Sequence, residues 1–537
     1  MRIGLDFDNT LACYEDLFPA IALRNGMLEN DFSGGKRQVR DAIRKLPNGE
    51  QTWMMLQGQV YGRHMAAAQM FDGVASFLRT CHQNNCRIFI VSHKTQFGHY
   101  DEQHVDLRKA AISWMVQHKF FDPGYFAINQ NDVFFSSTRD KKIDRIRDLD
   151  LDVYIDDLEE VLSDQNFPTT VRKIQFDPTE ESDNTSRWSH FTQWLDICFD
   201  LFPKQDRLLE TPEIIAKLLC NNEKVTIQAG GAGGNNTLWK VNGTSSPRAL
   251  KVYESNPLDP RNRLSTEKEA LLFLEHSGET QVPKFISQAT DASLLSWVDG
   301  APIDTVSDDD IIQTVHFITR LQKYSHNPKA SDLPLASESC LSGRELCNQV
   351  ENRFAALNRI ACLHPELETF LTQSLMPVVC EAIKSCEKDL LIPIGENDRI
   401  LSPSDFGFHN ALRQSDGKLV FLDFEYFGWD DPVKLVADFL LHPAMSLNSK
   451  HKQFFLDTIG PIFRSDPSFS KRLQGLYLLY VLRWCAIMLN PFVPHLTTAT
   501  RTNNSQHLSD LRTARLEKAK KFFQDNDTKN RSFPYDI

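Results

Sequence analysis

Residues 2–10 read RIGLDFDNT, and this stretch decides the fold of the N-terminal part of the chain. Its apolar residues lead directly into polar ones, a pattern typical of a buried strand that ends in a loop. Asp6 and Asp8 lie where the strand gives way to the loop. The carboxyl ends of parallel strands open onto a ligand-binding crevice, so two carboxylates at this point can converge on one ligand.

Further apolar runs in residues 87–91 and 151–155 predict two more buried strands. Residues 71–83 and 105–119 have the apolar spacing of helices. Strands that alternate with helices imply parallel βαβ units, and we therefore expect an α/β fold. Residues 16–70 have a mostly helical pattern and are expected to form a cap over a site.

The other predicted strands also end in polar side chains. Ser92 ends the second strand, and Asp156 and Asp157 end the third. Several carboxylates in one crevice repel each other unless a cation is present, and ligands that are all oxygens favour Mg²⁺. His93 and Lys94, which follow Ser92, either contact a substrate or lie in a solvated loop.

This set resembles the four motifs of the haloacid dehalogenase-like phosphatases: an Asp-x-Asp-x-Thr strand end, a Ser or Thr after the second strand, a Lys and an acidic pair. The resemblance implies a Rossmann-like domain with a small helical cap over residues 1–202. It implies that Asp6 is the nucleophile that forms an aspartyl-phosphate, and that Asp8 protonates the leaving group and then activates water. The other implied roles are phosphoryl binding by Thr10, Ser92 and Lys142, with the adjacent Lys141 as an alternative to Lys142, and Mg²⁺ binding by Asp6, Asp8, Asp156 and Asp157.

A glycine-rich turn opens the second half of the chain. Residues 230–236 read GGAGGNN between two strand-like runs, and Lys251 lies in a further strand-like run. Glycines let backbone N–H groups approach phosphates, but alone the turn is weak evidence because flexible turns are common. A lysine among apolar strand residues needs a reason for its charge. Glu267 or Glu269, in the helical run that follows, can supply its partner.

Two later stretches carry acidic and amide side chains: residues 402–410 read SPSDFGFHN and residues 420–425 read VFLDFE. Their Asp-to-Asn interval and strand-end Asp match the catalytic loop and the metal-binding Asp of kinase-like folds. Residues 224–494 resemble the aminoglycoside phosphotransferase and choline kinase group, whose loop reads His-Gly-Asp-x-x-x-x-Asn. The chain departs from this pattern at Pro403, where the group has a His.

This second resemblance implies an ATP- and Mg²⁺-dependent kinase for a small-molecule hydroxyl. Asp405 would orient or deprotonate the acceptor, and Asn410 and Asp423 would hold Mg²⁺ on the nucleotide. Lys251, paired with Glu267, would hold the α- and β-phosphates. The implied ATP-binding set also includes residues of the glycine-rich turn: Gly230, Gly231, Gly233, Gly234 and Asn235.

The pattern of elements changes near residue 203, which predicts a linker over residues 203–210. After it we expect a bilobal, kinase-like α+β domain. Its N-lobe would span residues 211–300 and its helical C-lobe residues 301–537, with WVDG at 297–300 as the hinge between them.

Composition excludes several classes of partner. The formal net charge is −12, and an acidic surface repels nucleic-acid backbones, so no nucleic-acid partner is expected. The most apolar stretch, residues 476–489, is shorter than a membrane span and contains Arg483, which predicts a buried helix and no membrane partner. The N-terminus has no signal-peptide pattern, and the eleven cysteines have no regular spacing. Both features fit a cytoplasmic location; no pattern indicates an oligomeric state.

A kinase and a phosphatase on one chain would cancel each other if they acted on the same phosphate. The favoured hypothesis is therefore a bifunctional enzyme whose two steps act on different positions of a metabolite, such as a sugar or an amino alcohol. One alternative is a phosphatase joined to a pseudokinase that senses nucleotide. Another is an antibiotic-modifying phosphotransferase.

Overall fold

The computed structural model describes residues 1–29, 32–101, 103–178, 188–202, 211–221, 223–232, 236–244, 246–253, 259, 261–289, 291–445, 447–493, 505–526 and 533–537. The chain divides into two compact units. One is formed mainly by Met1–Arg207, and the other mainly by Leu208–Ser255, Arg261–Leu357 and Glu366–Ile537.

The N-terminal unit alternates strands and helices. Its elements are β1 (Arg2–Leu5), β2 (Ala12–Cys13), α1 (Leu17–Arg24), α2 (Lys36–Ile43), α3 (Gly49–Tyr61), β3 (Gln69–Met70), α4 (Val74–Gln83), β4 (Arg87–His93), α5 (Leu107–Gln117), β5 (Val133–Ser136), α6 (Arg139–Asp148), β6 (Val153–Asp156), α7 (Glu159–Leu162), β7 (Arg172–Phe176), β8 (Ser189–Phe191) and α8 (Trp194–Leu201).

A six-stranded parallel sheet in the order β5-β4-β1-β6-β7-β8 organises this unit. Successive side chains of a strand point to opposite faces. In β4, Ile88 and Ile90 belong to one buried cluster, whereas Phe89 and Val91 belong to another. Apolar residues therefore cover both faces, as a parallel sheet requires, and the predicted α/β fold with a parallel sheet is confirmed.

The packing of β1 against β6 is close. A Cβ atom at Gly4 would lie 2.4 Å from Leu151 Cδ1 and 2.6 Å from Tyr154 Cδ2. The backbone N–H of Asp6 donates to Ile155 O at 2.9 Å, so the pairing with β6 continues to the end of β1. The absence of a side chain at residue 4 thus leaves room for Leu151 and Tyr154 to pack over the two strands whose ends carry the acidic residues.

The interval between β1 and α4 is mainly helical, in agreement with its sequence pattern. It contains α1, α2 and α3 and the short antiparallel pair of β2 and β3. Phe18 of α1 stacks on Trp53 of α3 at 4.9 Å between ring centroids. Lys36 lies at the start of α2 and Tyr61 at the end of α3.

The C-terminal unit begins with a sheet and continues mainly as helices. Its elements are α9 (Pro212–Leu219), β9 (Thr226–Ala232), β10 (Asn236–Asn242), β11 (Arg248–Tyr253), α10 (Arg263–His276), β12 (Phe285–Gln288), β13 (Ala292–Ser296), β14 (Ala301–Pro302), α11 (Asp308–Tyr324), α12 (Gly343–Ile360), α13 (Pro365–Phe370), α14 (Met376–Ser385), β15 (Ile400–Ser402), β16 (Ala411–Arg413), β17 (Leu419–Phe421), β18 (Gly428–Asp430), α15 (Pro432–Leu441), α16 (Ser449–Ile459), α17 (Phe469–Met488) and α18 (Ser505–Asn526).

Five antiparallel strands form the first part of this unit, in the order β12-β13-β11-β10-β9. Lys251 lies in the central strand β11, and the segment 297–300, predicted as a hinge, lies between β13 and β14. The sheet therefore fixes Lys251 rigidly, because β11 is paired on both sides.

Helices dominate the rest of the unit. The apolar stretch at 476–489 lies in α17, and its Arg483 is buried and donates to Asp438 Oδ1 at 3.2 Å. The prediction of a buried helix at this position is confirmed. Among the helices that the structure describes, none is long and apolar enough to span a membrane.

Candidate active sites

The ends of the parallel strands bring together the residues predicted for the first site. This N-terminal site comprises Asp6, Asp8, Ser92, Lys142 and Asp156. Lys142, on α6, donates from Nζ to Asp6 Oδ1 and to Asp156 Oδ2, both at 2.6 Å. Residues far apart in the sequence thus share one buried ion-pair network.

Lys142 and not Lys141 occupies the site. Lys142 is 1% exposed, whereas the side chain of Lys141 is exposed at the surface. Thr138 caps α6 by accepting from the backbone N–H of Lys141 at 3.3 Å, which fixes the helix face that carries Lys142. The alternative that the sequence left open is therefore resolved by the phase of this helix.

Burial and mutual repulsion act on the carboxylates of this network. Burial raises the pKa of Asp6 to about 7, against the lowering effect of Lys142, and Asp156 and Asp8 add to the rise. Burial also raises the pKa of Asp157 well above its usual value, with Asp156 and Asp6 adding to it. A single lysine does not offset this concentration of buried negative charge.

The donor set fits a hard divalent cation. Carboxylate oxygens of Asp6, Asp156 and Asp157 lie within 4.8 Å of one another. All of these donors are oxygens, the ligand type that Mg²⁺ prefers, and a cation would relieve their repulsion. Asp8, predicted as a further Mg²⁺ ligand, lies outside this group and is bound to other side chains instead.

Asp8 is held by Lys94, for which the sequence left two alternatives open, and by Tyr14, which the sequence analysis did not identify. Lys94 Nζ lies 2.8 Å from Asp8 Oδ2, and Tyr14 donates its phenol to Asp8 Oδ1 at 2.5 Å. Lys94 is 4% exposed, so its predicted alternative, a solvated loop, does not describe its side chain. His93 is exposed and contacts the backbone oxygen of Ser137 at 3.1 Å.

The two predicted hydroxyl ligands also lie at this edge of the sheet. Ser92, at 1% exposure, has no hydrogen-bond partner for Oγ among the residues that the structure describes. Thr10 donates to Asp157 Oδ1 at 3.4 Å. A buried hydroxyl without a partner is unfavourable, so Ser92 Oγ is suited to bind a ligand oxygen.

The second constellation gathers around Lys251 in the C-terminal unit. This C-terminal site comprises Lys251, Glu267, Asp405, Asn410 and Asp423. Lys251 Nζ donates to Glu267 Oε2 at 2.8 Å and to Asp423 Oδ1 at 2.7 Å. Glu267 Oε1 accepts from the backbone N–H of Phe424 at 3.1 Å, so one glutamate holds both the lysine and the segment that carries Asp423.

Glu267 and not Glu269 pairs with the lysine. Glu269 instead accepts from Ser265 Oγ at 3.0 Å, within the same helix α10. A third carboxylate, that of Glu425, lies 3.3 Å from Lys251 Nζ and is buried. The sequence motif contained Glu425, but nothing in the motif indicated that it packs behind the lysine.

Negative charge is also in excess around Lys251. Burial raises the pKa of Asp423 to about 6, Lys251 opposes this, and Glu425 and Glu267 add to it. Burial lowers the pKa of Lys251, but Glu267 and Asp423 outweigh it and the pKa lies well above the usual value. The ammonium group therefore stays charged, and a cation near Asp423 would be favourable.

Asp423 itself follows β17 in a left-handed backbone conformation, with φ of 64°. The strand before Asp423 ends at Phe421, two residues earlier than the predicted strand-end position of Asp423 requires. Leu422 N donates to Asn410 O at 2.8 Å, which places the segments of Asn410 and Asp423 side by side. The backbone thus brings the segments that carry the two predicted Mg²⁺ ligands together.

Asp405 lies in a loop that two histidines approach. Its Oδ1 is 3.1 Å from His409 Nε2 and 3.4 Å from His442 Nε2, and the two rings stack with centroids 3.8 Å apart. The backbone N–H of Ala444 donates to His442 Nδ1 at 3.2 Å. The proton of neutral His442 therefore lies on Nε2, where it is donated to Asp405. This tautomer disfavours a metal ion on the same nitrogen.

Electrostatics keep Asp405 ionised. Burial raises its pKa, but hydrogen bonds from His409 and His442 outweigh burial and lower the pKa below the usual value. Burial lowers the pKa of His442, so that its ring is neutral near pH 7. Asn410 donates from Nδ2 to the backbone oxygen of Asp405 at 2.9 Å and closes the loop.

At Pro403 the loop departs from the predicted pattern, and other residues hold it. Ser404 has φ of 67°, and its backbone N–H donates to Ser402 Oγ at 3.0 Å. Ser404 Oγ donates to Ser337 O at 2.8 Å and accepts from Lys434 Nζ at 3.1 Å. The short loop is thus fixed without a histidine at residue 403.

The glycine-rich turn is described only in part. Gly230 and Gly231 belong to β9, and a Cβ atom at Gly230 would lie 3.3 Å from the backbone oxygen of Leu238. Gly233, Gly234 and Asn235 lie outside the described residues.

Comparison with known families places one match on the second half of the chain. Residues 226–445 match the model of the phosphotransferase enzyme family. The match covers Lys251, Glu267, Asp405, Asn410 and Asp423. No curated protein matches the chain.

Several solved structures resemble the chain at low identity. The ethanolamine kinase of Plasmodium vivax is 13% identical, with 64% of this chain and 96% of that chain covered and a TM-score of 0.40. The choline kinase LicA of Streptococcus pneumoniae is 17% identical, covering 58% of this chain and 98% of that chain, with a TM-score of 0.39. A spectinomycin phosphotransferase, in complex with ADP and spectinomycin, is 12% identical, covering 56% and 93%, with a TM-score of 0.39.

Proposed function

We propose that the chain is a bifunctional phosphoryl-transfer enzyme for small molecules, with a Mg²⁺-dependent kinase in its C-terminal unit and a Mg²⁺-dependent phosphatase of the haloacid dehalogenase-like type in its N-terminal unit. The kinase part is supported by the family match over residues 226–445. The observation that carries the phosphatase part is the network in which Lys142 bridges Asp6 and Asp156 at 2.6 Å each.

In the kinase reaction, phosphoryl transfer depends mainly on positioning and on charge neutralisation. Lys251, held between Glu267 and Asp423, would bind phosphate oxygens of ATP. Asn410 and Asp423 would hold Mg²⁺, which neutralises charge on the nucleotide phosphates when bound. Asp405, kept ionised by its histidine contacts, would accept a hydrogen bond from the acceptor hydroxyl and take its proton as the hydroxyl oxygen bonds to the γ-phosphorus of ATP. The bond from that phosphorus to the bridging oxygen breaks, and ADP leaves.

In the phosphatase reaction, a carboxylate oxygen of Asp6 would attack the phosphorus atom of an ester. The bond from phosphorus to the alcohol oxygen breaks, and Asp8 gives that oxygen a proton. Water, activated by the now ionised Asp8, then releases phosphate from Asp6 and restores both carboxyl groups. Ser92 Oγ and Lys142 would bind the phosphoryl oxygens, while Asp6, Asp156 and Asp157 would hold Mg²⁺, which supplies charge neutralisation.

Single substitutions can separate the two proposed activities, ester hydrolysis and ATP-dependent phosphorylation. We expect Asp6→Asn to abolish hydrolysis of phosphate esters and to leave ATP-dependent phosphorylation intact, and Asp405→Asn to do the reverse. A screen of sugars, amino alcohols and their phosphates, with ATP and Mg²⁺, measures both reactions in the wild type and in each variant. Loss of both activities in either single variant would contradict two independent sites.

The same screen separates the alternatives. A pseudokinase that senses nucleotide would bind ATP without turnover, and Asp405→Asn would not change that binding. An antibiotic-modifying enzyme would phosphorylate aminoglycosides or related compounds in preference to metabolites. The bifunctional proposal instead requires a metabolite acceptor whose phosphorylated position differs from the position that the phosphatase hydrolyses.

A further inference from the structure

A second buried lysine, Lys94, reaches the N-terminal site through Asp8. Its Nζ lies 3.0 Å from Asp8 Oδ1 and 2.8 Å from Asp8 Oδ2, so one ammonium group contacts both carboxylate oxygens. Lys142, in contrast, contacts Asp6 and Asp156. Among the residues that the structure describes, Asp8 is the one ion-pair partner of Lys94. A substitution of Lys94 would therefore act on Asp8 and leave the ion pairs of Lys142 in place.

The surroundings of Lys94 fix both its backbone and its side chain. The backbone N–H donates to Ser136 O at 2.9 Å, and the backbone oxygen accepts from Arg108 Nε at 3.0 Å. The ammonium group lies 5.5 Å from the ring centroid of Phe7 and 4.9 Å from that of Tyr61, within the range of a cation–π contact. A lysine that is confined in this way can hold the carboxylate that it contacts in one orientation.

Tyr14 adds a second donor to Asp8. Its phenol donates to Asp8 Oδ1 at 2.5 Å, and the residue is 1% exposed. The ring packs edge-on against Tyr61 with centroids 4.9 Å apart. Lys36 donates from Nζ to Asn9 Oδ1 at 2.6 Å and so fixes the residue that follows Asp8. The helical interval thus helps to hold Asp8 from the side opposite to β4.

The direction of these hydrogen bonds indicates the step in which they act. In the proposed reaction Asp8 first gives a proton to the leaving oxygen and then takes a proton from water. A carboxylate whose two oxygens both accept hydrogen bonds is held as an acceptor, because a proton on either oxygen would have to displace a donor. The contacts of Lys94 and Tyr14 therefore match the second role of Asp8 rather than the first.

We propose that Lys94 and Tyr14 are positioning residues for the second step, in which they hold Asp8 as the acceptor of a proton from the attacking water. In that step the water oxygen bonds to phosphorus, the bond from phosphorus to the Asp6 oxygen breaks, and Asp8 takes one proton of the water. Phosphate leaves, and the carboxylate of Asp6 is restored. This inference rests on the proposed phosphatase function and assigns a role to two residues that the two steps do not otherwise use.

p-Nitrophenyl phosphate separates the two steps in the full-length protein with Mg²⁺. Its leaving group departs without a proton, so kcat/KM measures formation of the aspartyl-phosphate, whereas kcat also depends on its hydrolysis. Lys94→Met should lower kcat about tenfold or more, the effect of one hydrogen bond between charged groups. It should leave kcat/KM nearly unchanged, so KM should fall together with kcat. Rapid-quench measurements should show a burst of p-nitrophenol followed by a slower steady rate than in the wild type.

Two further variants and a control assign the effect to the contacts with Asp8. Lys94→Arg should retain most of kcat, because a guanidinium group can also donate to both carboxylate oxygens. Tyr14→Phe removes the phenol oxygen and should lower kcat in the same way but to a smaller extent. Lys109→Met makes the same substitution at an exposed position of α5 and should leave both constants unchanged. Circular dichroism spectra and melting curves verify that each variant is folded.

Each outcome decides the question. A fall in kcat with kcat/KM retained and a burst in Lys94→Met supports the inference. A parallel fall in kcat and kcat/KM without a burst places Lys94 in substrate binding or in the first step and overturns it, as does an unchanged kcat. If Lys94→Met does not fold, Tyr14→Phe decides by the same criteria. If the wild type does not hydrolyse p-nitrophenyl phosphate, or if hydrolysis survives Asp6→Asn, the phosphatase proposal itself is wrong and the inference falls with it.

Discussion

The substitution Asp6→Asn should stabilise the metal-free N-terminal unit, although it should abolish hydrolysis. Asp6 is 4% exposed and lies in a network that contains more carboxylates than cations. Asn has nearly the shape of Asp and can still accept a hydrogen bond from Lys142, but it carries no charge. The stabilisation should therefore depend on pH.

The size of the stabilisation by Asp6→Asn follows from the raised pKa of Asp6. Burial, opposed by Lys142 and supported by Asp156, raises the pKa of Asp6 from 3.8 to about 7 in the folded state. Each pKa unit corresponds to about 1.4 kcal/mol, so ionised Asp6 costs up to about 4 kcal/mol at pH 8. This value already includes the opposing effect of Lys142. Because the amide of Asn also adds N–H donors beside the ammonium group of Lys142, we expect Asp6→Asn to gain about 2–3 kcal/mol at pH 8.

The direction of the Asp6 pKa shift determines the pH range in which the wild type and the variant differ in stability. Below about pH 4 Asp6 is protonated in both the folded and unfolded states, and the wild type and variant should be similarly stable. Between about pH 4 and 7 the folded state binds more protons, so the stability of the wild type falls relative to the variant as pH rises. Above about pH 7 the difference should be constant.

Urea unfolding in EDTA, monitored by hydrogen exchange of peptides from β1 and β4, measures the free energy of unfolding of the N-terminal unit separately. Asp148→Asn, at an exposed position of α6, is a control with the same change of charge. Saturating Mg²⁺ should remove most of the difference in stability between Asp6→Asn and the wild type, because a ligand at a hundred times its Kd stabilises the wild type by about 2.7 kcal/mol. A metal-free Asp6→Asn protein that is no more stable than the wild type at pH 8 would refute the electrostatic account.

Three further predictions concern the C-terminal unit. Lys251→Met should lower kcat/KM for ATP-dependent phosphorylation by about 10²–10³-fold, the effect of losing one preorganised charged donor. Ester hydrolysis by the N-terminal unit is the internal control. An unchanged rate of phosphorylation would contradict the role of Lys251. His442→Leu should lower kcat for phosphorylation about tenfold, with KM for ATP unchanged, because Asp405 loses one hydrogen bond to its charged form. His442→Gln should restore part of kcat. Equal defects in both variants would argue that His442 Nε2 does not position Asp405. Lys434→Met should lower the free energy of unfolding by about 3–5 kcal/mol in urea titrations, because it removes the ion pairs of buried Asp430 and Asp438 with Lys434 at 3.2 and 3.0 Å. Asp438 keeps its contact with Arg483, whereas Asp430 loses its cation. A loss below about 1 kcal/mol would contradict a stabilising role for these ion pairs.

Much of the N-terminal site could be predicted because parallel strands end at one edge of a sheet. Asp6, Ser92 and Asp156 each follow an apolar run of strand character, and topology alone brings such positions together. Lys36 and Tyr61 carried no such signal. They lie on helices, where the spacing of apolar residues indicates the buried face but not the element against which that face packs.

Helical phase explains the choices that the sequence left open. Glu267 and Glu269 are separated by about 200° around α10, so only one can face β11, and the sequence contains little to show which. Lys141 and Lys142 differ by about 100° on α6. His442 was missed for another reason, since its contact with Asp405 depends on where the end of α15 packs against a distant loop.

Gly4 has a consequence for how the N-terminal site tolerates sequence change. It has no functional group, yet a Cβ atom there would overlap the side chains of Leu151 and Tyr154. Tyr154 pairs with Gly4 across β1 and β6, the two strands that lead to Asp6 and Asp156. A larger residue at this position would displace side chains that pack on these strands, so residue 4 is constrained by packing although it takes no part in the chemistry.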